Sequence, residues 1–364
     1  MADAPPPAGP VDLLGLTAGQ LAEAAALALP SGAGLAPKVF TAAHRHGRFA
    51  PEELPIPPAN AAAWRRAFTL GLLTVVRTVE EDSEAGLTAK AVLRTADGFE
   101  AECVLIPMRT RDGATDHTLC LSSQVGCRMG CAFCETARMG LVRQLTAGEI
   151  VAQVVTVGQA LGWHPRNLVF MGMGEALDNA ANLFQAIRVL TDQRGLQYSF
   201  ERLTVCTAGH AAGIAALAAQ GWKRLNLSLS LNAASDAVRD RLMPVNRRTP
   251  LAELQRVLAA YPQRRNFILG VNWCLMPGIN DAREDAAQIA DFCRPLGRVL
   301  VNLIPYNPGS APLTRAPEED EVVRFVAWLR EEGLAVRRRI TKGRSIMAAC
   351  GQLGNPALRR RPGT

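Results

Sequence analysis

Four cysteines fall within fifteen positions in the stretch CLSSQVGCRMGCAFCETARMG, residues 120–140. Three of them, Cys127, Cys131 and Cys134, follow C-x3-C-x2-C with Phe133 directly before the last, so one short loop offers three thiolates. A structural zinc ion takes four protein ligands, commonly from two C-x2-C pairs, whereas a [4Fe-4S] cluster held by three thiolates keeps one iron open to a substrate or cofactor. Three ligands favour the cluster. Cys120 is the thiol that would complete a zinc site instead, but it precedes the triplet across LSSQVG, a spacing unlike a zinc knuckle. A set of inert, buried thiols is the third reading. Far along the chain, Cys350 stands alone in IMAACGQLG.

The chain around these thiols sets their context. It has 364 residues, 48% of them hydrophobic, enough for one large domain or for a small domain attached to a larger one. The opening MADAPPPAGP lacks the basic start and apolar run of a signal peptide, and no uninterrupted apolar stretch reaches about eighteen residues. The expectation is a cytoplasmic protein with no membrane span. In a reducing compartment nine cysteines suit metal ligation or thiol chemistry better than a disulfide framework. A net charge of +7 with pI about 9.1 adds a mild pull towards a polyanionic partner.

Elements that must position the thiols follow from pattern. After a tail, 1–10, the segments DLLGLTAGQLAEAAALAL and LAPKVFTAAHRHG read as two helices around a Gly-rich turn, followed by a Pro-punctuated link PEELPIPPANAAAW. This predicts a small helical unit over 11–70. Alternating segments TVVRTVEE, LTAKAVLRT and FEAECVLIPM predict a short antiparallel β extension over 71–112. From 113 to 350 apolar strands (NLVFMGM, RLTVC, RLNLSLSL, FILGVNWCLM, VLVNLIP, LAVRRRI) alternate with amphipathic helices. Repeated βα units of this kind predict an α/β fold with a parallel sheet or partial barrel whose chemistry gathers at the carboxyl ends of the strands. Residues 351–364 read as a basic tail.

The triplet with its aromatic is the pattern of radical S-adenosylmethionine (SAM) enzymes. TLCLSSQVGCRMGCAFC, FMGMGEALDN, VRDRLMPVNRR, VNLIPYNP and AACGQL, in that order over nearly the whole chain, resemble the adenine-methylating RNA methyltransferases of the RlmN/Cfr class. The resemblance implies a partial (βα)6 barrel behind a small helical RNA-binding domain, a [4Fe-4S] cluster on Cys127, Cys131 and Cys134, and SAM as methyl donor and radical source. It implies C2 methylation of adenine in 23S ribosomal RNA and also in transfer RNA, a flavodoxin-type electron donor, and a monomer. C8 methylation, or a paralogue acting on another RNA, is the alternative within the class; a zinc-stabilised RNA-binding protein without catalysis is the alternative outside it. Adenine C2 and C8 are electron-poor amidine carbons that do not attack an electrophilic methyl group, so a radical route, with the difficult bond breaking left to the cofactor, is what such a target needs.

Residue by residue, the resemblance makes Cys350 the methyl carrier, Cys120 the thiol that resolves the RNA–protein adduct through a transient disulfide, and Glu102 the proton acceptor. Glu100, two positions earlier, would point the same way as Glu102. SAM contacts fall on Gly174 and Glu175 in MGMGE, on Cys206 where the family usually carries serine, on Ser230, Leu231 and Asn232 in SLSLNAA, and on Asn307. Asn232 replaces a histidine, Ser345 an aspartate, and NWCLMPGIND lacks an acidic residue the family often places before its methionine. Cys103, Cys274 and Cys293 sit among apolar residues and read as core. Basic clusters at 246–248, 263–265, 337–344 and 359–361 are suited to phosphates.

Overall fold

A computed structural model describes residues 9–29, 32–83, 86–109, 113 and 115–354. The expected leading tail falls almost entirely outside this range, as does the basic run at 359–361.

The N-terminal unit holds three helices, α1 (Ala18–Ala28), α2 (Ala36–His46) and α3 (Pro58–Ala67), tied by a parallel two-residue pairing of β1 (Val11–Asp12) with β2 (Phe68–Thr69). Helix α1 begins in a reciprocal capping box between Thr17 and Gln20, and α2 stops at Gly47, whose φ of 55° suits a residue without Cβ. The Pro-rich stretch expected to be a link contains α3. Pro58 opens that helix, where a missing N–H costs nothing, so proline starts the element here instead of breaking it. Leu13, Leu21, Phe40, Trp64 and Phe68 form a separate small core. The unit docks on the larger body through Ala18 N to Asp192 (2.9 Å), Thr41 to the Arg194 carbonyl (3.1 Å) and Arg45 to the Gly195 carbonyl (2.9 Å).

Strands β3 (Thr74–Glu81), β4 (Thr88–Arg94) and β5 (Glu100–Arg109) form an antiparallel meander, and β5 pairs with β6 (Thr115–Cys120). A hairpin of β7 (Gln124–Gly126) and β8 (Leu141–Gln144) follows, with the short helix α4 (Glu135–Arg138) between its strands. Then come α5 (Ala147–Leu161), β9 (Asn167–Phe170), α6 (Ala180–Leu190), β10 (Leu203–Thr207), α7 (Ala211–Ala219) and β11 (Asn226–Ser230). Helices α8 (Asp236–Leu242) and α9 (Leu251–Ala259) precede β12 (Leu269–Leu275), α10 (Arg283–Cys293), β13 (Val299–Pro305), α11 (Glu319–Glu331) and β14 (Val336–Arg338). In the main sheet, from β6 through β9 to β14, every neighbouring pair is parallel.

This is an open α/β barrel in which six strand–helix repeats are followed by the short β14. The meander expected as a separate extension is continuous with it: one ten-stranded sheet runs β14-β13-β12-β11-β10-β9-β6-β5-β4-β3. Its outer face packs α5, α6, α10 and α11 over a core that includes Val151, Ile187, Leu227, Trp273 and Phe325.

The sheet does not close on itself, and residues 342–354 span the opening. Lys342 donates to the Pro107 carbonyl, Gly343 N and Ser345 N donate to the Glu81 carboxylate (2.6 and 2.9 Å), and Thr136 donates to the Leu353 carbonyl (2.6 Å). Residues 351–354 therefore belong to the body; Gln352 and Leu353 are buried.

Candidate active site

Backbone contacts fix the cysteine loop. Gly126 has a φ of 76°, and a Cβ there would stand 1.9 Å from the Gly140 carbonyl oxygen, so only glycine allows the two hairpin strands this close. Cys127 N donates to that same carbonyl (3.0 Å), Cys134 N to the Cys131 carbonyl (3.1 Å), and Ala132 N to the Leu242 carbonyl (2.9 Å), which anchors the loop on α8. All three thiols line one cavity of about 150 Å³ at the carboxyl end of the barrel. Burial pushes the Cys127 thiol up to about 12, and Cys131 and Cys134 also upward; at Cys127 and Cys131 mutual repulsion of the thiolates adds to this, and Arg239 opposes it at Cys131.

This donor set fits a cluster. Three soft thiolates face a cavity, and a bound cation supplies the charge they lack. Among the described residues no three His, Cys, Asp or Glu side chains converge as a single-ion site. Cys120, the thiol a zinc reading requires, belongs to a different group: its thiol neighbours are Cys350, Cys206 and Cys103.

The residues matched to SAM contacts surround the same cavity, with two exceptions. Gly174, at φ 104°, lets the chain turn against Gln124, where a Cβ would lie 2.7 Å from the Gln124 Cβ. Glu175 follows, buried, accepting from Ala208 N (2.7 Å) and Leu177 N (3.2 Å); burial raises its carboxyl to about 7 despite those donors. Cys206, Ser230 and Asn232 also line this cavity. Asn232 has a φ of 56°, a left-handed conformation that asparagine tolerates, and its Oδ1 accepts from Cys274 N (2.8 Å) while its Nδ2 donates to the Met243 sulfur (3.3 Å). The carboxamide in the histidine's place is thus occupied in shaping the loop. Leu231 is the first exception: its side chain is buried in the core, and it lines neither this cavity nor its neighbour. Asn307 is the second, lining the neighbouring cavity with its Oδ1 accepting from Arg344 Nε (3.1 Å).

That second cavity, about 300 Å³, lies in the barrel lumen, and its walls include Thr118, Thr204, Ser228, Arg337, Arg339 and Lys342. Cys350 lines both cavities, as do Cys206, Met171, Ile304 and Asn272. Cys350 is accessible, and the surface it offers faces these two spaces. Burial raises its thiol, and the nearby Arg339 guanidinium pulls it back. Cys120 ends β6 in an apolar cluster with Val104, Met173, Ala348 and Leu353, directly beside the Cys350 loop. Glu102, on β5, is buried beneath that loop, off the walls of both cavities; its Oε2 accepts from Gly354 N (2.9 Å). Glu100 instead pairs at the surface with Arg94 (2.8 Å). Cys103 and Cys293 are core, as expected, whereas Cys274 lines the cluster cavity.

Three side chains of the site carried no assignment from sequence. Arg239, within VRDRLMPVNRR, is wholly buried and donates to the carbonyls of Leu231 (3.0 Å) and Ala208 (2.6 Å) and to Asn246 Oδ1 (2.8 Å). Its helix reads DAVRDRL, with Asp236, Asp240 and Arg241 beside it, so no local signal set Arg239 apart. Lys90 is buried on β4, where a lysine in an otherwise apolar strand, TAKAVL, is the anomaly. Asn272 is buried on β12, where its Oδ1 accepts from Asn302 (3.1 Å) and its Nδ2 has no partner among the described residues.

Comparison with known proteins agrees with this geometry. Residues 121–293 match the Radical SAM superfamily. A probable dual-specificity RNA methyltransferase RlmN 1 from Protochlamydia amoebophila is 41% identical over 283 residues, 78% of this chain and 77% of that protein. A dual-specificity RNA methyltransferase RlmN from Anaeromyxobacter sp. is 42% identical over 318 residues, 84% and 81% of the two chains. The crystal structure of a radical SAM methyltransferase from Sphaerobacter thermophilus superposes with a TM-score of 0.84 at 35% identity, covering 94% of this chain and 99% of that one. With a three-thiol loop at the mouth of an open barrel and relatives this similar over most of their length, the chain belongs to the RlmN family of radical SAM RNA methyltransferases, enzymes that use a [4Fe-4S] cluster and SAM.

Proposed function

We propose that this enzyme methylates C2 of adenine in 23S ribosomal RNA, with transfer RNA as a further substrate. The observation that carries the reading is the position of Cys350, on the wall shared by the cavity that holds the three loop thiols and the lumen cavity with its basic rim. A thiol there reaches a methyl donor on one side and a nucleobase on the other.

Cys127, Cys131 and Cys134 would hold the cluster, which would supply the electron for reductive cleavage of SAM to a radical. Glu175 and Gly174 receive the ammonium of the methionine moiety, and that positive charge favours the ionised carboxylate that burial alone disfavours. Cys206, Ser230, Asn232 and Asn307 complete the cofactor contacts. Cys350 carries the methyl group; once the SAM-derived radical has taken a hydrogen atom from it, the methylene would bond to the base carbon, Glu102 beneath the loop would accept the proton from that carbon, and the unpaired electron would return to the oxidised cluster. The Cys120 thiolate would then attack the Cys350 sulfur, forming a disulfide as the methylene carbon leaves with the electron pair and takes up a proton. Arg337, Arg339 and Lys342 at the rim of the lumen cavity neutralise phosphates flanking the target, which must be splayed out of its stack to enter. Ser345 suits this chain because Glu81 accepts from its backbone N–H and its hydroxyl; an aspartate there would set a like charge against Glu81.

The test is anaerobic reconstitution followed by mass spectrometry of nucleosides from ribosomal and transfer RNA. 2-Methyladenosine is expected in both, and none after Cys127→Ala, Cys131→Ala or Cys134→Ala, each of which also loses iron. SAM cleavage without any methylated adenosine would overturn the reading, and 8-methyladenosine would overturn its position.

A further inference from the structure

The loop that carries Cys350 is fastened at both ends to one buried ion pair. Before the cysteine, Lys90 Nζ donates to the Met347 carbonyl (2.9 Å); after it, Gly354 N donates to Glu102 Oε2 (2.9 Å). The two anchors touch each other, with Lys90 Nζ 3.5 Å from Glu102 Oε1, and their side chains are only 6% and 8% exposed. They stand on neighbouring strands, β4 and β5, whose antiparallel register sets Lys90 opposite Val104, two residues from Glu102. Between the anchors the loop is under tension, since Met347 has a φ of 52°, a left-handed conformation that an unbranched side chain adopts only when its surroundings impose it. The residue in that conformation is the one whose carbonyl Lys90 holds.

A buried lysine beside a buried glutamate is commonly no more than a compensated pair. This pair does more, because each partner also holds one side of a single loop, and that loop bears a thiol lining both cavities. We propose that Lys90 is a positioning residue for the methyl transfer: its ammonium lies against the buried Glu102 carboxylate and sets Glu102 and the Cys350 loop against one another. The proposal rests on the roles given above to Glu102 and Cys350. When Glu102 accepts the proton from the base carbon, its charge is neutralised and its grip on both Lys90 and Gly354 N weakens. The loop is then freed at the stage when Cys120 must reach the Cys350 sulfur. Proton removal and loop release are coupled through one ammonium group.

Two substitutions separate the parts of this role. Lys90→Met keeps most of the length and removes both charge and donor; Lys90→Gln, equally one atom shorter than lysine, removes the charge but keeps an N–H donor for the Met347 carbonyl. With reconstituted holoenzyme and RNA substrate, both variants are expected to retain iron and form 5′-deoxyadenosine, yet to accumulate the covalent RNA–protein adduct, with release slowed by about 10²-fold, the lower range for loss of an acid–base function. Hydrogen exchange across 343–354 is expected to quicken in Lys90→Met and to stay closer to the unaltered chain in Lys90→Gln. Cys120→Ala is the control. If it traps the adduct while both Lys90 variants turn over normally, the proposal falls and the functional reading stands; if it traps nothing, that reading fails and takes the proposal with it. Equal loss of iron, SAM cleavage and adduct, or failure of both variants to fold, marks Lys90 as purely structural and overturns the proposal.

Discussion

Arg239 and Glu175 grip opposite sides of one peptide-bearing residue: Arg239 donates to the Ala208 carbonyl at 2.6 Å, and the Ala208 N–H donates to the Glu175 carboxylate at 2.7 Å. The same guanidinium holds the Leu231 carbonyl, so the ends of β10 and β11 are set by a single buried side chain. Arg239→Met removes it and leaves Asn246 and the carbonyls of Ala208, Ser230 and Leu231 short of a donor. The expected cost is about 3 kcal/mol or more in unfolding free energy, together with SAM binding weakened by at least about tenfold. Denaturant unfolding and equilibrium SAM binding, measured on the same preparation, check both; unchanged SAM affinity would remove Arg239 from the site.

The two terminal thiols make opposite predictions. Cys350→Ala should accept no methyl group and form no adduct. Cys120→Ala should form the adduct and hold it, visible as a nuclease-sensitive shift on a denaturing gel. Cys206, which neighbours both thiols, is a substitute nucleophile, though burial pushes its thiol up to about 12 and leaves little thiolate near neutrality. Slow leakage of the trapped species is therefore expected in Cys120→Ala, and none in Cys120→Ala combined with Cys206→Ser.

Asn272, on the wall common to the two cavities, has a buried N–H group with no partner among the described residues. An amide kept in place by Asn302 on a wall common to both cavities is suited to hold an acceptor on a ligand in either. Asn272→Ala is expected to lower kcat/KM for RNA about tenfold, the worth of one hydrogen bond in a dry site, while iron content stays whole. Parallel measurement of SAM affinity decides which ligand the amide serves.

Acid should loosen the N-terminal unit first. His44 is buried in α2, 2.9 Å from the Phe40 carbonyl, and desolvation lowers its pKa to about 4. In the unfolded chain the value is about 6.5, so as pH falls from there the unfolded state binds a proton that the folded state refuses. Stability is lost through that window, by about 2 kcal/mol at pH 5 and about 3 kcal/mol near pH 4, where the loss levels off. His44→Phe should flatten the slope of unfolding free energy between pH 7 and 5; an identical slope would show that other groups govern it.

Much of this molecule was legible because its strongest signals are local. C-x3-C-x2-C with Phe133 needs only one loop, and the six apolar strands alternate plainly with amphipathic helices. What escaped was set by distance along the chain or by a residue in an unaccustomed role. Helix α3 was hidden by prolines that, at a helix start, favour the element they appear to break. The meander joins the barrel sheet only through the pairing of β5 with β6, which no periodicity reveals. Lys90 meets Met347 across 257 positions, and Gly354 meets Glu102 across 252, so no window of sequence holds either contact. Glu102 could be singled out from Glu100 by resemblance alone; burial now separates a carboxylate under the loop from one in a surface ion pair.

The unclosed edge of the ten-stranded sheet bears on the kind of polymer position the enzyme can serve. A barrel sealed on all sides admits a molecule only end first, which suits a free nucleotide or a strand terminus. RNA modified at an internal position continues in both directions from its target, so it must be taken from the side, with one nucleotide inside and the chain passing across the entrance. A gap between β14 and the β3 edge of the sheet, bridged by a segment held through hydrogen bonds and, among the described residues, by no strand pairing, meets that demand: it leaves a lateral entrance whose opening would break no rung of the barrel.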